Sequence, residues 1–453
     1  MMLPQNLYTL IDAAAAIRSG ETTASALVDL ALAQAAAGAA LNTLAYVDEA
    51  GARQQAALQD DEARRNQWRG PLHGVPITAK DLFAVPGMPM QAGTHVTLPA
   101  LGQAEASAIT RLRAAGAIIL GKTNMHEIAL GITGENIFTG DVCNALDPAR
   151  QAGGSSSGSA ASIAAGIGWM SLGSDTAGSI RIPSANCGTV GFKPTHGVVP
   201  LDGALALCAT CDHAGPIVRS VRDAALGYEV LAQRPAPFDS LDETMALKVV
   251  RFGYPRRYLE GRLGKRERVA WERLLRWLQE HGTQIIDVEP ADLELGPPAY
   301  TPLARAEAAD VHRVALKHEP HNFSDIVRPA LQNGATVTAL EYFEACRQRE
   351  RVIVGVDACL RAVDAIIMPT TPVIAPSRGS TDIELESGTA QHRASFLHLS
   401  IPYSFTGIPA ISLPYAAVDN MPVSLQLACA RYADARVLHF GLILENGLAH
   451  EPL

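Results

Sequence analysis

Two glycine-rich segments that contain serine lie close together in the chain, at 153–159 and 173–179. Glycine lets backbone N–H groups approach a ligand without a side chain in the way. A serine hydroxyl beside such N–H groups supplies the nucleophile and the oxyanion donors that acyl transfer requires. The stretch between the segments, 160–170, consists mainly of small apolar residues. We predict that this stretch is a buried helix and that the two segments form one site.

Two other interpretations of the same stretch are weaker. A phosphate-binding loop requires a lysine after its glycines, and no lysine occurs between Gln151 and Ile180. The sequence GSSSG at 154–158 fits the G-x-S-x-G pattern of a nucleophile elbow, with Ser156 as the nucleophile. Such an elbow follows a buried strand, whereas the preceding residues, NALDPAR, predict a polar turn. We therefore favour a site with one serine from each glycine-rich segment.

A lysine at the end of a predicted buried strand is the next candidate for chemistry. The strand covers 74–79 and ends in Lys80-Asp81. Lysine is seldom fully buried without a partner, so Lys80 reaches the surface, pairs with Asp81 or has a chemical role. Lys122 follows a second predicted strand, at 117–120, in the same way.

Composition excludes several classes of function. The 453 residues are 48% hydrophobic and carry a net charge of −9, which gives no electrostatic basis for binding nucleic acid or an anionic membrane. No apolar run has the length of a membrane span, and the N-terminal residues lack a basic leader. We expect a cytoplasmic protein.

Cysteine and histidine give no clear metal site. The seven cysteines include one C-x-x-C pair, Cys208 and Cys211, but His213 alone does not complete a set of four ligands. We predict buried thiols in a reducing compartment and no metal. His213 is either a general base or, as we favour, a hydrogen-bonded histidine in a turn at 212–216.

The pattern of predicted helices and strands indicates an α/β protein, in which helices cover a sheet. The predicted helices are 7–17, 24–37, 47–65, 104–116, 221–232, 266–281 and several within 303–361. The further predicted strands are 188–194, 197–200, 248–254, 284–288, 365–368, 410–414 and 420–427. A polar loop is predicted at 377–392 and a linker at 234–244.

Three motifs together resemble the amidase signature family. They are Lys80 in GVPITAKD, the sequence GGSS at 153–156, and DTAGSIR at 175–181. Lys80 and Ser155 are 75 residues apart, and Ser155 and Ser179 are 24 apart, as in the family. The resemblance covers about 12–430 and is most specific between 71 and 220. One departure is Ala177, where the family usually has glycine.

This resemblance implies a large mixed twisted β-sheet sandwiched between helices. It also implies a single domain over 1–453, which we divide into four parts. These are a helical N-terminal layer (1–70), a catalytic core (71–232), a variable substrate-lining part (241–376) and a closing segment (394–450).

The resemblance also implies a role for each motif residue. Ser179 would be the acylated nucleophile, and Ser155, in a cis peptide bond, would pass its proton to Lys80. Lys80 would have to be neutral, which requires a pKa about three units below the ordinary value near 10.4, through desolvation by residues 75–79. The oxyanion hole would consist of the backbone N–H groups of Thr176, Ala177, Gly178 and Ser179. Three further residues would hold the loop in place: Ser156, Asp175 and Arg181.

The implied activity is hydrolysis of amides without a metal or cofactor. Ile128, Ala129 and Gly154 are the expected substrate contacts, and the apolar character of Ile128 and Ala129 favours neutral, fairly hydrophobic amides and anilides, with carbamates as a further class. The alternative is an amidotransferase-type subunit that releases ammonia from glutamine to a partner. We expect a small-molecule substrate and a monomer or homodimer.

Overall fold

The computed structural model describes residues 7–101, 104–235 and 250–451. In these ranges 14 α-helices accompany one sheet of 11 strands and a separate two-stranded hairpin. The helices are α1 (Leu10–Ser19), α2 (Ala24–Ala37), α3 (Glu49–Arg64), α4 (Ser107–Ala114), α5 (Ser157–Ala164), α6 (Arg181–Cys187), α7 (Val221–Ala232), α8 (Lys265–Glu280), α9 (Gly296–Val311), α10 (Arg313–His318), α11 (Val327–Gly334), α12 (Ala339–Leu360), α13 (His392–Phe405) and α14 (Asp434–His450). Among the described helices, none has both the length and the apolar character needed to cross a membrane.

The large sheet receives strands from all four parts of the chain. Its strands are β1 (Leu44–Val47), β2 (Pro76–Lys80), β3 (Ile118–Thr123), β4 (Ser171–Asp175), β5 (Val190–Lys193), β6 (His213–Val218), β7 (Arg251–Tyr254), β8 (Gln284–Asp287), β9 (Ala365–Pro369), β12 (Ala410–Val418) and β13 (Met421–Ala428), and the hairpin consists of β10 (Asp382–Leu385) and β11 (Gly388–Gln391). The strand order is β1-β3-β2-β4-β6-β5-β12-β13-β9-β7-β8. Parallel and antiparallel pairs both occur, so the predicted mixed sheet is confirmed.

Two parallel neighbours, β2 and β4, set the position of the candidate site. Their register pairs Ala79 with Leu172. Because parallel strands end at the same edge of a sheet, Lys80 at the end of β2 and Asp175 at the end of β4 lie at one edge. Both strands are buried throughout, which removes this edge from bulk water.

Helices cover both faces of the sheet, as β5 shows. A Cβ on Gly191 would lie 2.9 Å from Ile180, next to α6, whereas the ring of Phe192 packs against Tyr228 of α7 at 5.5 Å. Successive strand residues point to opposite faces, so α6 and α7 lie on opposite sides of the sheet. The predicted sandwich of helices around a sheet is therefore confirmed.

Several predicted elements differ from the structure. The helix predicted at 160–170 begins earlier and ends at Ala164, because Gly166 and Gly168 adopt positive φ values of 80° and 74° and turn the chain into β4. The second glycine-rich segment therefore starts as a strand.

The strand predicted at 197–200 is a turn around Gly197, whose φ is 78°. The turn predicted at 212–216 is largely β6, and the polar loop at 377–392 contains the β10–β11 hairpin. Most of the linker at 234–244 lies outside the described residues.

Candidate active site

Lys80 is fully buried at the end of β2 and does not reach the surface. Its Nζ donates hydrogen bonds to Ser155 Oγ at 2.7 Å and to Ser174 Oγ at 2.8 Å. Burial lowers the pKa of Lys80 to about 7, against the opposing effect of the Asp175 and Asp212 carboxylates. A substantial fraction of this amine is therefore neutral near pH 7. Asp81 pairs instead with Lys122, at 2.8 Å.

The first glycine-rich segment holds Ser155 against Lys80. The Gly154–Ser155 peptide bond is cis. Gly153 has a φ of 78°, and a Cβ there would lie 2.8 Å from Pro183 Cα. A Cβ on Gly154 would lie 3.0 Å from the carbonyl carbon of Ile132, so both glycines permit close backbone packing. The Ser155 carbonyl accepts a hydrogen bond from the N–H of His126 at 3.2 Å.

The Ser156 hydroxyl is hydrogen-bonded to the backbone of β4. Its Oγ donates to the Ser174 carbonyl at 3.1 Å and accepts from the Ser174 N–H at 3.3 Å. Its own N–H donates to the carbonyl of Ser179 at 3.3 Å. These bonds connect the two serine-containing segments, and they engage the hydroxyl that the nucleophile-elbow interpretation requires to be free.

The Asp175 carboxylate organises the loop that follows β4. Its Oδ1 accepts from the Gly178 N–H at 2.7 Å and from Ser404 Oγ at 2.8 Å. Its Oδ2 accepts from the Ile180 N–H at 3.2 Å and from Arg181 Nε at 3.0 Å. Burial would raise the pKa of Asp175, but the Arg181 guanidinium outweighs it and holds this pKa well below its usual range. The carboxylate therefore stays ionised and fixes the loop.

Arg181 is fully buried and its hydrogen bonds are all directed into the protein. Besides Asp175 it donates to Gln426 Oε1 at 2.8 Å, to the Ser400 carbonyl at 2.9 Å and to Ser404 Oγ at 2.6 Å. These contacts link the loop to α13 and β13. The guanidinium is therefore not available to bind a substrate carboxylate.

Ser179 is 6% exposed and follows Thr176, Ala177 and Gly178 in the loop after β4. Gly178 has a φ of 121°, and a Cβ there would lie 2.6 Å from both Cβ and Oγ of Ser400. Ala177 has no positive φ, so its backbone conformation does not require glycine, and its carbonyl accepts a hydrogen bond from Ser400 Oγ.

The expected set of four oxyanion donors needs one correction. The Gly178 N–H is already engaged with Asp175 at 2.7 Å. The N–H groups of Thr176, Ala177 and Ser179 have no acceptor among the described residues. Three donors, and not four, are therefore available in this loop.

The three expected substrate contacts have different surroundings. Ala129 lines a cavity of about 100 Å³ beside Ser174 and Thr176. Its neighbour Ile128 is only 1% exposed, belongs to the main hydrophobic core and does not line this cavity. Both residues have positive φ, 43° for Ile128 and 64° for Ala129. Gly154 packs against the backbone of 132–134.

Asp212 is a site residue that sequence reasoning missed. Its Oδ1 accepts from Thr176 Oγ1 at 2.6 Å, and its Oδ2 accepts from the N–H groups of Leu207 and Cys208 at 2.8 and 3.0 Å. Burial raises the pKa of Asp212 to about 6 even though these bonds oppose the shift. In the sequence, the only clue to a role for Asp212 was its position next to His213 in the motif DHAGP.

Ser174, which contacts Lys80, is marked by no sequence feature.

His213 and the C-x-x-C pair lie near this site without an apparent chemical role. His213 Nδ1 lies 3.0 Å from the Asp175 carbonyl and 2.7 Å from the Cys211 carbonyl, and burial holds the pKa of His213 well below its usual value. Cys208 and Cys211 are buried free thiols. Over the described ranges, no group of three or more His, Cys, Asp or Glu side chains is arranged to hold a metal ion.

Comparison with known proteins places this chain in a family. A family model for amidases matches residues 26–438. An amidase from Pseudomonas putida is 34% identical over 98% of this chain and 95% of its own length. A glutamyl-tRNA(Gln) amidotransferase subunit from Heliobacterium modesticaldum is 31% identical, with 87% of each chain covered. A crystal structure of an amidase superposes with a TM-score of 0.94 at 48% identity and covers 97% of this chain and 99% of the other. The chain therefore belongs to the amidase signature family, and it is a hydrolase that acts on amides.

Proposed function

We propose that this protein cleaves amides through an acyl-enzyme on Ser179, with Lys80 as the base and Ser155 as the proton relay. The observation that carries the proposal is the 2.7 Å hydrogen bond between Lys80 Nζ and Ser155 Oγ in a site closed to solvent. As Ser179 Oγ attacks the carbonyl carbon, its proton passes to Ser155 while the Ser155 proton passes to Lys80. When the C–N bond breaks, the proton on Lys80 returns through Ser155 to the departing nitrogen. A water molecule then attacks the acyl-enzyme, gives up its proton through Ser155 to Lys80, and releases the carboxylic acid.

The three free N–H groups of the loop after β4 support this role for Ser179. Those of Thr176, Ala177 and Ser179 would donate hydrogen bonds to the carbonyl oxygen and stabilise the negative charge that develops on it. Asp175 and Arg181 hold the loop before substrate binds, so little reorganisation is required during the reaction.

The substrate we propose has a small, uncharged and apolar acyl group. The 100 Å³ cavity next to Ser174 and Thr176 is lined mainly by alanine and leucine side chains: Leu82, Ala129, Leu201, Ala204, Leu205, Ala206, Leu207 and Ala209. Linear amides and anilides of short fatty acids fit this lining. Carbamates and esters present the same carbonyl oxygen to the oxyanion donors, so we include aryl carbamates in the proposed range.

Labelling and a matched set of variants test the proposed roles. A fluorophosphonate is expected to form one adduct, mapped by peptide mass spectrometry to Ser179. We expect Ser179→Ala and Lys80→Ala to abolish hydrolysis of butyryl-4-nitroanilide and Ser155→Ala to reduce it by several orders of magnitude. Ser162→Ala is the control, because Ser162 Oγ donates within α5 to the Ser159 carbonyl at 2.9 Å and does not touch these residues. An adduct on Ser156 with Ser179 unlabelled would refute the assignment.

A second candidate function is release of ammonia from glutamine to a partner protein. It is favoured by relatives such as the amidotransferase subunit from Heliobacterium, which is 31% identical to this chain. The lining includes the Asp212 carboxylate but no lysine or arginine that could bind the carboxylate of a zwitterionic substrate such as glutamine. Glutaminase assays on the purified protein, alone and with added cell lysate, distinguish the two functions. A kcat/KM for glutamine above that for the nitroanilide would favour the second.

We also propose that the protein works in a reducing cytoplasm as a monomer or homodimer. The seven cysteines are free thiols with no disulfide among them, which supports a reducing compartment. Gel filtration of the purified chain tests the oligomeric state.

A further inference from the structure

The backbone at Ile128 and Ala129 has an unusual conformation. Their φ values are 43° and 64°, and a β-branched residue such as isoleucine rarely adopts a positive φ. The described chain has one other pair of consecutive non-glycine residues with positive φ, Asp419 and Asn420 in the hairpin turn between β12 and β13. Asp and Asn tolerate this conformation, and two-residue hairpin turns use it. Ile128 and Ala129 lie instead in a single 3-10 turn, Glu127–Ala129, so the surrounding structure must impose their conformation.

One side of this turn is fixed to a buried ion pair. The N–H of Ile128 donates to the Ala92 carbonyl at 2.8 Å. Ala92 itself has a φ of 50°, and its N–H donates to Asp81 Oδ2 at 2.9 Å. The other oxygen of Asp81 accepts from Lys122 Nζ at 2.8 Å. The lysine of the second predicted strand therefore supports the turn, through Asp81 and Ala92.

The Glu127 carboxylate fixes the other side of the turn. Glu127 is 3% exposed. Its Oε1 accepts from Thr94 Oγ1 at 2.9 Å, and the Ser324 N–H lies 3.3 Å from both of its oxygens and donates to them. Ser324 Oγ accepts in turn from the N–H of Val327, the first residue of α11. Glu127 therefore joins the turn to the segment after β2 and to the start of α11.

Ala129 connects this turn to the proposed substrate cavity. It lines the cavity of about 100 Å³ beside Ser174 and Thr176, whereas Glu127 and Ile128 do not. Ser174 and Thr176 lie on β4 and directly after it, where pairing with β6 holds the backbone. A change of φ within the turn would therefore move the Ala129 methyl group relative to the rest of the cavity wall.

We propose that Glu127 is a positioning residue that sets the acyl-chain selectivity of the enzyme by holding Ala129 at the cavity wall. This inference rests on the proposed amidase function and deepens it, because it names a residue that limits the acyl group to short chains. Without its carboxylate the turn loses the bonds to Thr94 and Ser324, and it can relax toward negative φ. The Ala129 methyl group then leaves its place, and the cavity accepts longer acyl chains.

Two anilides that differ in acyl length test the proposal on the full-length protein. They are butyryl-4-nitroanilide and hexanoyl-4-nitroanilide. In the wild type, kcat/KM should be about tenfold or more higher for the butyryl compound, since one methylene group in an apolar pocket can be worth roughly tenfold. Glu127→Ala is expected to bring the ratio of the two values to within about threefold of one. Ala129→Gly should lower the ratio in the same direction with Glu127 intact, because it removes the methyl group itself.

A conservative variant and a matched control separate positioning from stability. Glu127→Gln should keep most of the selectivity, because its amide oxygen can accept from the Ser324 N–H and its NH₂ can donate to Thr94 Oγ1. Glu267 of α8 is also a buried glutamate that accepts from a backbone N–H, that of Ile374 at 3.2 Å, and it does not line the cavity. Glu267→Ala should leave the selectivity ratio unchanged, whatever its effect on the free energy of unfolding.

Two results would overturn the proposal. One is a wild-type protein with equal kcat/KM for the two anilides, and the other is an equal loss for both in Glu127→Ala, which would indicate a role in stability alone. If no anilide is hydrolysed and Ser179 is not labelled, the proposed function fails, but the positioning role remains testable by calorimetry on Ser179→Ala. Tighter binding of the butyryl than of the hexanoyl anilide, lost in Ser179→Ala/Glu127→Ala, would support that role. Equal binding of the two anilides, or none, would refute it.

Discussion

Thr176 and Asp212 are joined by a 2.6 Å hydrogen bond from the Thr176 hydroxyl to the carboxylate. Thr176 directly follows β4, and Asp212 directly precedes β6, where Asp175 and His213 form the adjacent strand pair. The other oxygen of Asp212 accepts from the N–H groups of Leu207 and Cys208. Asp212 therefore connects the first donor of the proposed oxyanion hole to residues beside the apolar cavity.

Loss of this bond should slow catalysis more than it weakens substrate binding. In Thr176→Val the hydroxyl is replaced by a methyl group of similar size, and the Asp212 oxygen loses its donor. Hydrogen bonds to charged groups contribute about 1.5–3 kcal/mol, so we expect kcat to fall by roughly 10- to 100-fold. KM should change little, because the Thr176 N–H acts mainly in the transition state. Steady-state kinetics on butyryl-4-nitroanilide measure both constants.

Thr176→Ser is the matched control for this prediction. It keeps the hydroxyl and should retain most of the activity. A Thr176→Val protein with wild-type kcat would show that the bond to Asp212 does not position the oxyanion donor.

The rate should depend on pH through Lys80. Burial lowers the pKa of Lys80 to about 7, and only the neutral amine can accept a proton. The value of kcat/KM should therefore rise with pH through about 7 and level off above it. Asp212, with a pKa raised to about 6, also becomes ionised in the lower part of this rise and strengthens the bond from Thr176.

A profile of kcat/KM from pH 5 to pH 9 on the nitroanilide checks this expectation. Circular dichroism at each pH separates titration from unfolding. A rate that is constant from acid to neutral pH and falls above it would contradict a lysine base.

The residues of the proposed catalytic set were easier to pick out from the sequence than their surroundings. Lys80, Ser155 and Ser179 stand in short motifs with family spacing, and the strand before Lys80 was visible as an apolar run. The strand β6 was missed because it begins HAGP, a sequence typical of a turn. Its glycine, Gly215, fits there because a Cβ would lie 2.1 Å from the Phe192 carbonyl oxygen. That contact depends on sheet pairing between residues distant in sequence, and no local pattern records it.

Asp212 could not be assigned from sequence for the same reason. Asp212 becomes a site residue only when β6 pairs with β4. The Gly178 N–H, expected as a fourth oxyanion donor, instead donates to Asp175, a contact within the loop that family spacing does not reveal.

The gain or loss of one methyl group should affect activity strongly at Gly178 and weakly at Ala177. Gly178 has a φ of 121°, and a methyl group there would lie 2.6 Å from Ser400. We expect Gly178→Ala to lose nearly all activity, because both the backbone conformation and the contact with α13 must change. Ala177→Gly should keep activity within a few-fold of wild type, because Ala177 has no positive φ. Kinetics and fluorophosphonate labelling rates of the two variants measure the difference, and comparable losses in both would contradict it.

The buried pair of Asp175 and Arg181 should dominate the stability of the loop. In Arg181→Met the carboxylate remains buried without its cation, and removing one partner of such a pair costs about 3–5 kcal/mol in the free energy of unfolding. Because the folded-state pKa of Asp175 is depressed, its contribution to wild-type stability is present above the ordinary pKa and is lost as pH falls below it. Relative to wild type, Arg181→Met should be destabilised less at pH 4 than at pH 7, because the unpaired Asp175 carboxylate can take up a proton at pH 4. Urea unfolding at both pH values measures this, with Asp175→Asn/Arg181→Met as the control that removes the buried charge. If Arg181→Met were as stable as wild type at pH 7, or equally destabilised at both pH values, the ion pair would not be what holds this loop.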